Sequence, residues 1–431
     1  MIEDEYEDEH AEDESSELVD QKLRDDFEND CISLMEESIH EESGETEEVE
    51  ISESEEVAAS LVPEGRVLRD RTIKVKPVKY SYLSSDPESF RMAMKSKDHI
   101  KCINFTQSAA DPCVYIHEDK KSIIFFHVDD LIVVGDVKKF EELFLKRFPN
   151  STAHDPDTLL GMNVTIEKDQ IKLSQRKLIE KGLELAGIKE CRSVKTPLSV
   201  GVQLTNATDQ EKSEFKKLKI NYRTHTGILN YLACRTRPDL APAVSILSSF
   251  NQAPGIQQWK QVIHCWKYLA GTIDFALKLK PDPLDDSNTL KHFTDATWAD
   301  DLETRLSRSG SICFWKACPV AWNSKKQRNI TMSSTEAELN ALSDGVQENK
   351  WIKFLVEELW NEGINPTQFH IDNQGLLEKL KNFGSNSKTK HLDIKMKLLR
   401  DMKKNNEILV TLIPTLKWGF SRLSETLSIQ P

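Results

Sequence analysis

Between residues 113 and 136 the chain alternates short apolar runs with polar breaks: CVYI, then HEDKK, IIFFHV and LIVVGD. Runs rich in β-branched and aromatic residues, bounded by turn residues, predict strands. The spacing then changes. VKKFEELFLKRF predicts a helix, and LLGMNVTIEKDQIKLS, with polar EKDQ between two alternating runs, predicts a hairpin. Apolar positions three and four apart in RKLIEKGLELAGI, GILNYLACR and WKQVIHCWKYLAGT make 174–275 a helical region. After PDPLDDSN the pattern resets. LKHFTDATW, GSICFWKA and VAWNSK predict strands, and a long helix runs from SSTEAEL to VEELW. A strand (TQFHID), a helix (QGLLEKLKNF), a polar loop (GSNSKTK), a helix (HLDIKMKLLRDMKKN) and a last strand (EILVTLIP) follow. Strands first, then alternation with helices, predicts an α/β domain at about 288–415. The whole chain is expected to be a multidomain protein of α/β and α+β type.

Composition divides the chain more sharply than the pattern does. The 431 residues carry a formal charge of -14, from 71 Asp and Glu against 57 Lys and Arg. Residues 1–60 hold 26 of those acids and 2 of the bases, leaving 45 acids and 55 bases beyond them, a balance of +10. The acidic stretch has too few large apolar residues to offset chain entropy and is expected to be disordered to residue 62. The basic remainder suits a polyanionic partner. Eight Cys without a Cys-x-x-Cys pair exclude a zinc framework or a disulfide scaffold. An acidic start and no long apolar run predict no secretion signal and no membrane partner, hence a cytoplasmic or nuclear protein.

Asp129 and Asp130 stand between IIFFHV and LIVVG. Successive side chains of a strand point to opposite faces, so both acids can reach one site only where the backbone turns. A hairpin with the pair at its bend is expected. Carboxylates presented there suit Mg²⁺ or Mn²⁺, and paired ions suit phosphoryl transfer.

HVDD in this hydrophobic hairpin resembles the YVDD box of copia-type LTR-retrotransposon reverse transcriptases. RVLRDRTIKVKPVKY resembles the basic linker before the polymerase, and NFTQSAADPCVYI, LLGMNV, VKTPL, YRTHTGILNYLACRTRPDLAPAV and WKYLAGT resemble successive pieces of its palm and thumb. The likeness covers residues 63–413. It implies a Pol polyprotein fragment: a basic linker and residual pre-polymerase segment at 63–100, a truncated reverse-transcriptase palm at 101–200 and thumb or connection helices at 201–287. The family's long stretch holding the fingers and the first catalytic Asp is absent, and no acid between Met94 and Lys121 stands in a comparable apolar strand. RNA-directed DNA polymerisation is therefore expected to be lost, with Asp129 and Asp130 as remnants.

The C-terminal domain carries a fuller set: Asp295 in HFTDATWADD, Glu336 in SSTEAEL and Asp372 in HIDNQG. Each acid stands where an apolar element meets a polar turn. Ser333 and Glu336 also satisfy the capping-box spacing, so Glu336 has a purely structural alternative; Glu338, two positions along the helix, points elsewhere. TDATWADD, SRSGSICFW, VAWNSKKQ, MSSTEAELNAL, HIDNQG and KTKHLDI are similar to the ribonuclease H domain of the same family. The resemblance implies that Asp295, Glu336 and Asp372 hold two Mg²⁺ or Mn²⁺ ions for hydrolysis of the RNA strand of an RNA–DNA hybrid. Lys325, Lys326, Arg328, Lys388 and Lys390 become candidate phosphate contacts. His391 and Asp393, in TKHLDI, become candidate auxiliary catalytic groups. The family's fourth carboxylate has no counterpart, because the unmatched tail 416–431 contains no Asp. The alternative is a catalytically dead, nucleic-acid-binding relic of the same element. An integrase is disfavoured, since its Glu would come last. Other proteins encoded by the element are further candidate partners.

Overall fold

The computed structural model describes residues 104–127, 130–147, 155–381 and 390–413. The acidic region 1–62, the linker 63–100 and the tail 416–431 lie outside them.

The first unit is a four-stranded antiparallel meander. Strands β1 (Phe105–Gln107), β2 (Val114–His117), β3 (Ile123–His127) and β4 (Asp130–Val134) lie in sequence order, followed by helix α1 (Val137–Arg147). Asp119 sets the β2–β3 turn by accepting the N–H groups of Lys121 and Ser122, each at 2.8 Å. Gly135 ends β4 at φ +110°, where a Cβ would lie 2.6 Å from the Ser122 backbone. Only glycine fits both constraints. Phe105, Tyr115, Ile124 and Phe140 form the core. His127 pairs with Asp130 across the β3–β4 ladder, so β3 and β4 form a hairpin and Asp130 is the first residue of its second strand. Asp129 lies outside the described residues, and of Asp130 only the backbone is described.

The second unit joins a small sheet to a helical cluster. Strands β5 (Thr158–Leu159), β6 (Met162–Ile166) and β7 (Ile171–Ser174) are followed by helices α2 (Arg176–Leu185), α3 (Asp209–Lys217), α4 (Tyr222–Arg235), α5 (Ala241–Ser248) and α6 (Ile256–Gly271). Strand β8 (Leu277–Leu279) then pairs antiparallel with β7. One core takes Ile179 and Leu183 from α2, Phe215 from α3, Leu229 and Leu232 from α4, and Trp266 from α6. The boundary expected at residue 200 therefore cuts through a single core, because α2 buries its apolar face against the helices assigned to the next segment. Gly182 lets α2 approach this closely: a Cβ there would sit 2.0 Å from the Trp266 ring. Gly182→Ala is expected to lower stability by about 1–2 kcal/mol in urea denaturation, because overpacking outweighs the gain in helix propensity.

The third unit is built on a five-stranded mixed sheet. Strands β9 (Leu290–Thr297), β10 (Arg308–Trp315) and β11 (Cys318–Lys326) are antiparallel neighbours, joined at β10–β11 through Lys316 and Ala317, both at positive φ. Positive φ at both central residues matches a two-residue hairpin turn to the twist of its strands. Helix α7 (Ser334–Trp360), strand β12 (Thr367–Ile371), helices α8 (Gln374–Lys381) and α9 (Lys390–Lys404), and strand β13 (Ile408–Leu412) complete the unit. The sheet order is β11-β10-β9-β12-β13, with β12 parallel to both β9 and β13. Gly345 lets α7 cross β9 closely, since a Cβ there would meet Thr294 Cγ2 at 2.6 Å. The far end of α7 touches the first unit: Glu358 accepts the Ala109 N–H at 2.8 Å, and Trp351 Nε1 donates to the Ala110 carbonyl at 3.0 Å.

Candidate metal centre

Asp295 is near the end of the central strand β9, and Asp372 directly follows β12. The parallel register pairs Gln368 with Lys291, Phe369 with His292 and His370 with Phe293, so continuing it brings residue 372 alongside 295. Helix α7 supplies the third acid. The residue is Glu338, not Glu336. Carboxylate oxygens of Asp295, Glu338 and Asp372 all lie within 4.8 Å of one another.

Helical geometry explains the exchange. Residues two apart on a helix are separated by roughly 200°. Glu338 is in phase with Gly345, seven residues on, which marks the line where α7 rests on β9. Glu336 faces the helix start instead, accepting the Met332 N–H at 2.9 Å, while Ser333 Oγ accepts the Glu336 N–H at 3.2 Å. This is helix capping, the structural alternative that its spacing had suggested. The sequence did hold a signal for Glu338: it stands in heptad phase with Gly345 and the apolar Ile352, whereas Glu336 is in phase with Ser343 and Lys350.

The carboxylates crowd one another. The Ala296 N–H reaches Asp295 Oδ1 at 2.9 Å and Glu338 Oε1 at 3.2 Å, holding two acids with one donor. Glu338 Oε2 is buried and has no hydrogen-bond partner among the described residues. Burial, then the charges of Asp295 and Asp372, push the Glu338 carboxyl up to about 9. Burial and then Asp372 also raise Asp295. A buried, unpartnered oxygen among mutually repelling carboxylates is the setting a hard divalent cation relieves, and an all-oxygen donor set suits Mg²⁺ or Mn²⁺.

The other candidates are more dispersed. Lys325 and Arg328 are exposed, and with Lys326, Lys395, Asn340 and Asp344 they line a groove of about 580 Å³ between β11, α7 and α9. Lys326 already pairs with Asp301 at 2.6 Å, and Lys395 donates to Asn340 at 2.8 Å. Lys388 lies outside the described residues. Lys390, His391 and Asp393 fall in the first turn of α9, where only the backbone is described. No helix among the described residues is long and apolar enough to cross a membrane.

No protein-family model matches the chain. Over 30% of its length the chain is similar, at 13% identity and a TM-score of 0.23, to 88% of the solved ribonuclease H1 from the halophilic archaeon Halobacterium salinarum. It is 27% identical over 375 residues to the retrovirus-related Pol polyprotein from transposon RE2 of Arabidopsis thaliana, covering 85% of this chain and 25% of that one. It is 31% identical over 338 residues to the corresponding polyprotein from transposon TNT 1-94 of Nicotiana tabacum, again 25% of the relative. The chain thus spans about a quarter of the length of these curated relatives. With ordered similarity along 75–85% of its own length, the chain belongs to the retrovirus-related Pol polyproteins of copia-type transposons.

Proposed function

We propose that the unit at 288–415 is a ribonuclease H domain that hydrolyses the RNA strand of an RNA–DNA hybrid with Asp295, Glu338 and Asp372 holding the cations. The carboxylate triad carries this reading: three acids far apart in sequence share one focus, and the most buried has an oxygen left without a partner among the described residues. Bound Mg²⁺ or Mn²⁺ would neutralise charge on the scissile phosphate and increase the acidity of water beside it. The protein's part is positional. Adjacent parallel strands fix Asp295 and Asp372 relative to each other, and the close crossing at Gly345 fixes Glu338 above them. The Ala296 N–H orients the two nearest carboxylates. Exposed Lys325 and Arg328 would meet phosphates of the hybrid, whose shape and 2′-hydroxyls rather than base sequence select it.

The polymerase part is proposed to be inactive. Among the described residues before HVDD, Asp111 accepts the Cys113 N–H at 2.8 Å and Asp119 holds the β2–β3 turn, so both carboxylates are committed to local turns. Neither replaces a metal-bridging acid on a core strand.

The test uses the full chain with a labelled hybrid, the matching single-stranded RNA and the matching RNA duplex. Mg²⁺-dependent cutting of the hybrid alone, lost in Asp295→Asn, is the expected result. A wild type and an Asp295→Asn variant that bind the hybrid equally but leave it uncut would establish the relic instead.

A further inference from the structure

Strand β9 ends at Thr297, and the next side chain, Trp298, is 52% exposed. Its position is nevertheless fixed. Trp298 Nε1 donates to the Thr331 carbonyl at 3.1 Å. Thr331 is buried, and its hydroxyl shares a 2.7 Å hydrogen bond with that of Ser307. Ser307 Oγ also accepts the Ala299 N–H at 3.1 Å, and Ala299 has a left-handed φ of +51°. Ile330 and Met332, on either side of Thr331, are 60% and 83% exposed.

These three apolar side chains adjoin the carboxylates along the chain. Trp298 is three residues past Asp295, and Glu336, two residues before Glu338, holds the Met332 N–H. Lys or Arg would serve a purely phosphate-binding rim better, whereas a pinned, exposed Trp beside Met and Ile favours a partly apolar ligand surface. A hybrid offers one next to its phosphates, in the ribose faces of a wide, shallow minor groove. Apolar side chains can engage nucleic acid from the minor-groove side.

We propose that Trp298, with Met332, packs against ribose faces of the hybrid's minor groove and so sets the register of the phosphate presented to the carboxylates. The assignment rests on the ribonuclease H reading above.

The test measures binding of the full chain to a labelled hybrid and to a DNA duplex of the same sequence, without divalent cation, across a salt series. Trp298→Ala is expected to weaken hybrid binding about tenfold, as lost apolar burial. DNA-duplex binding should change less than about twofold, and the salt dependence should not change, because no phosphate contact is removed. Trp298→Phe, which keeps a ring and loses the bond to Thr331, should recover most of the affinity. Met332→Ser, at a largely exposed position, should weaken the hybrid about threefold without affecting folding. Equal losses for hybrid and DNA duplex in Trp298→Ala would make its role structural and overturn the proposal. Unchanged hybrid binding in both Trp298→Ala and Met332→Ser would overturn it too, while Asp295-dependent cleavage by the same preparations would leave the nuclease reading intact. A wild type that neither binds nor cuts the hybrid removes both.

Discussion

Glu338→Gln is expected to lower the proposed cleavage of an RNA–DNA hybrid by at least about a hundredfold, whereas Glu336→Gln should change it by less than about threefold. Of the two glutamates, Glu338 shares a focus with Asp295 and Asp372. An amide keeps the shape of the side chain but removes the charge a cation needs, and the loss of a direct ligand should exceed the 10- to 100-fold effect typical of an outer-shell group. Stability should move in opposite directions in the two variants without metal. Glu336→Gln weakens a charged acceptor at a helix start and costs about 0.5–1 kcal/mol. Glu338→Gln removes the cost of burying an acid beside Asp295 and Asp372 and stabilises the fold. The pH dependence follows the same physics. The Glu338 carboxyl is pushed from 4.5 to about 9, by burial and then by Asp295 and Asp372. Between those values the folded state binds more protons than the unfolded one, so metal-free stability falls as pH rises through that window. Thermal unfolding from pH 5 to 9 should show this fall, Mg²⁺ should oppose it most at the alkaline end, and Glu338→Gln should flatten it. A pH slope unchanged by Glu338→Gln would remove the carboxyl from this account.

The second large effect is expected far from the carboxylates. Arg237 and Asp239 are a buried pair in the helical unit, 0% and 3% exposed. Arg237 Nε and Nη2 donate to Asp239 at 3.0 and 2.7 Å, Tyr268 Oη donates to Asp239 at 2.8 Å, and Arg237 also reaches the Thr272 carbonyl at 3.1 Å. Asp239→Ala strands a guanidinium in the core and should cost about 3–5 kcal/mol. Hydrogen exchange of α4 and α6 should accelerate accordingly. Replacing both partners with apolar residues, Arg237→Met with Asp239→Leu, should recover part of that loss, because desolvation had consumed much of the pair's Coulombic gain. A double variant less stable than Asp239→Ala would contradict this partition.

Local order was legible in the residues. The strand CVYI, the hairpin around EKDQ and the alternation of strands and helices after residue 288 all appear where period and turn residues place them. Their side chains largely settle those choices: β-branched runs favour the pleat, and apolar residues three and four apart favour a helix. The β3–β4 hairpin was readable from two apolar runs, IIFFHV and LIVVG, separated by a short polar break. The placement of Asp295 and Asp372 at element ends was equally readable.

The tertiary structure decided what depends on phase and on partners. Glu336 and Glu338 are the same residue type two positions apart, and the contact at Gly345 determines which one α7 turns toward β9. The unity of the core across residue 200 depends on α2 meeting α6 through Gly182, a contact between segments about 80 residues apart. A sequence specifies the period of each element through near neighbours, but an element's rotation about its axis is set by what it packs against. The chain itself therefore determined its strands, helices and two of the three acids, and packing between distant segments selected the third.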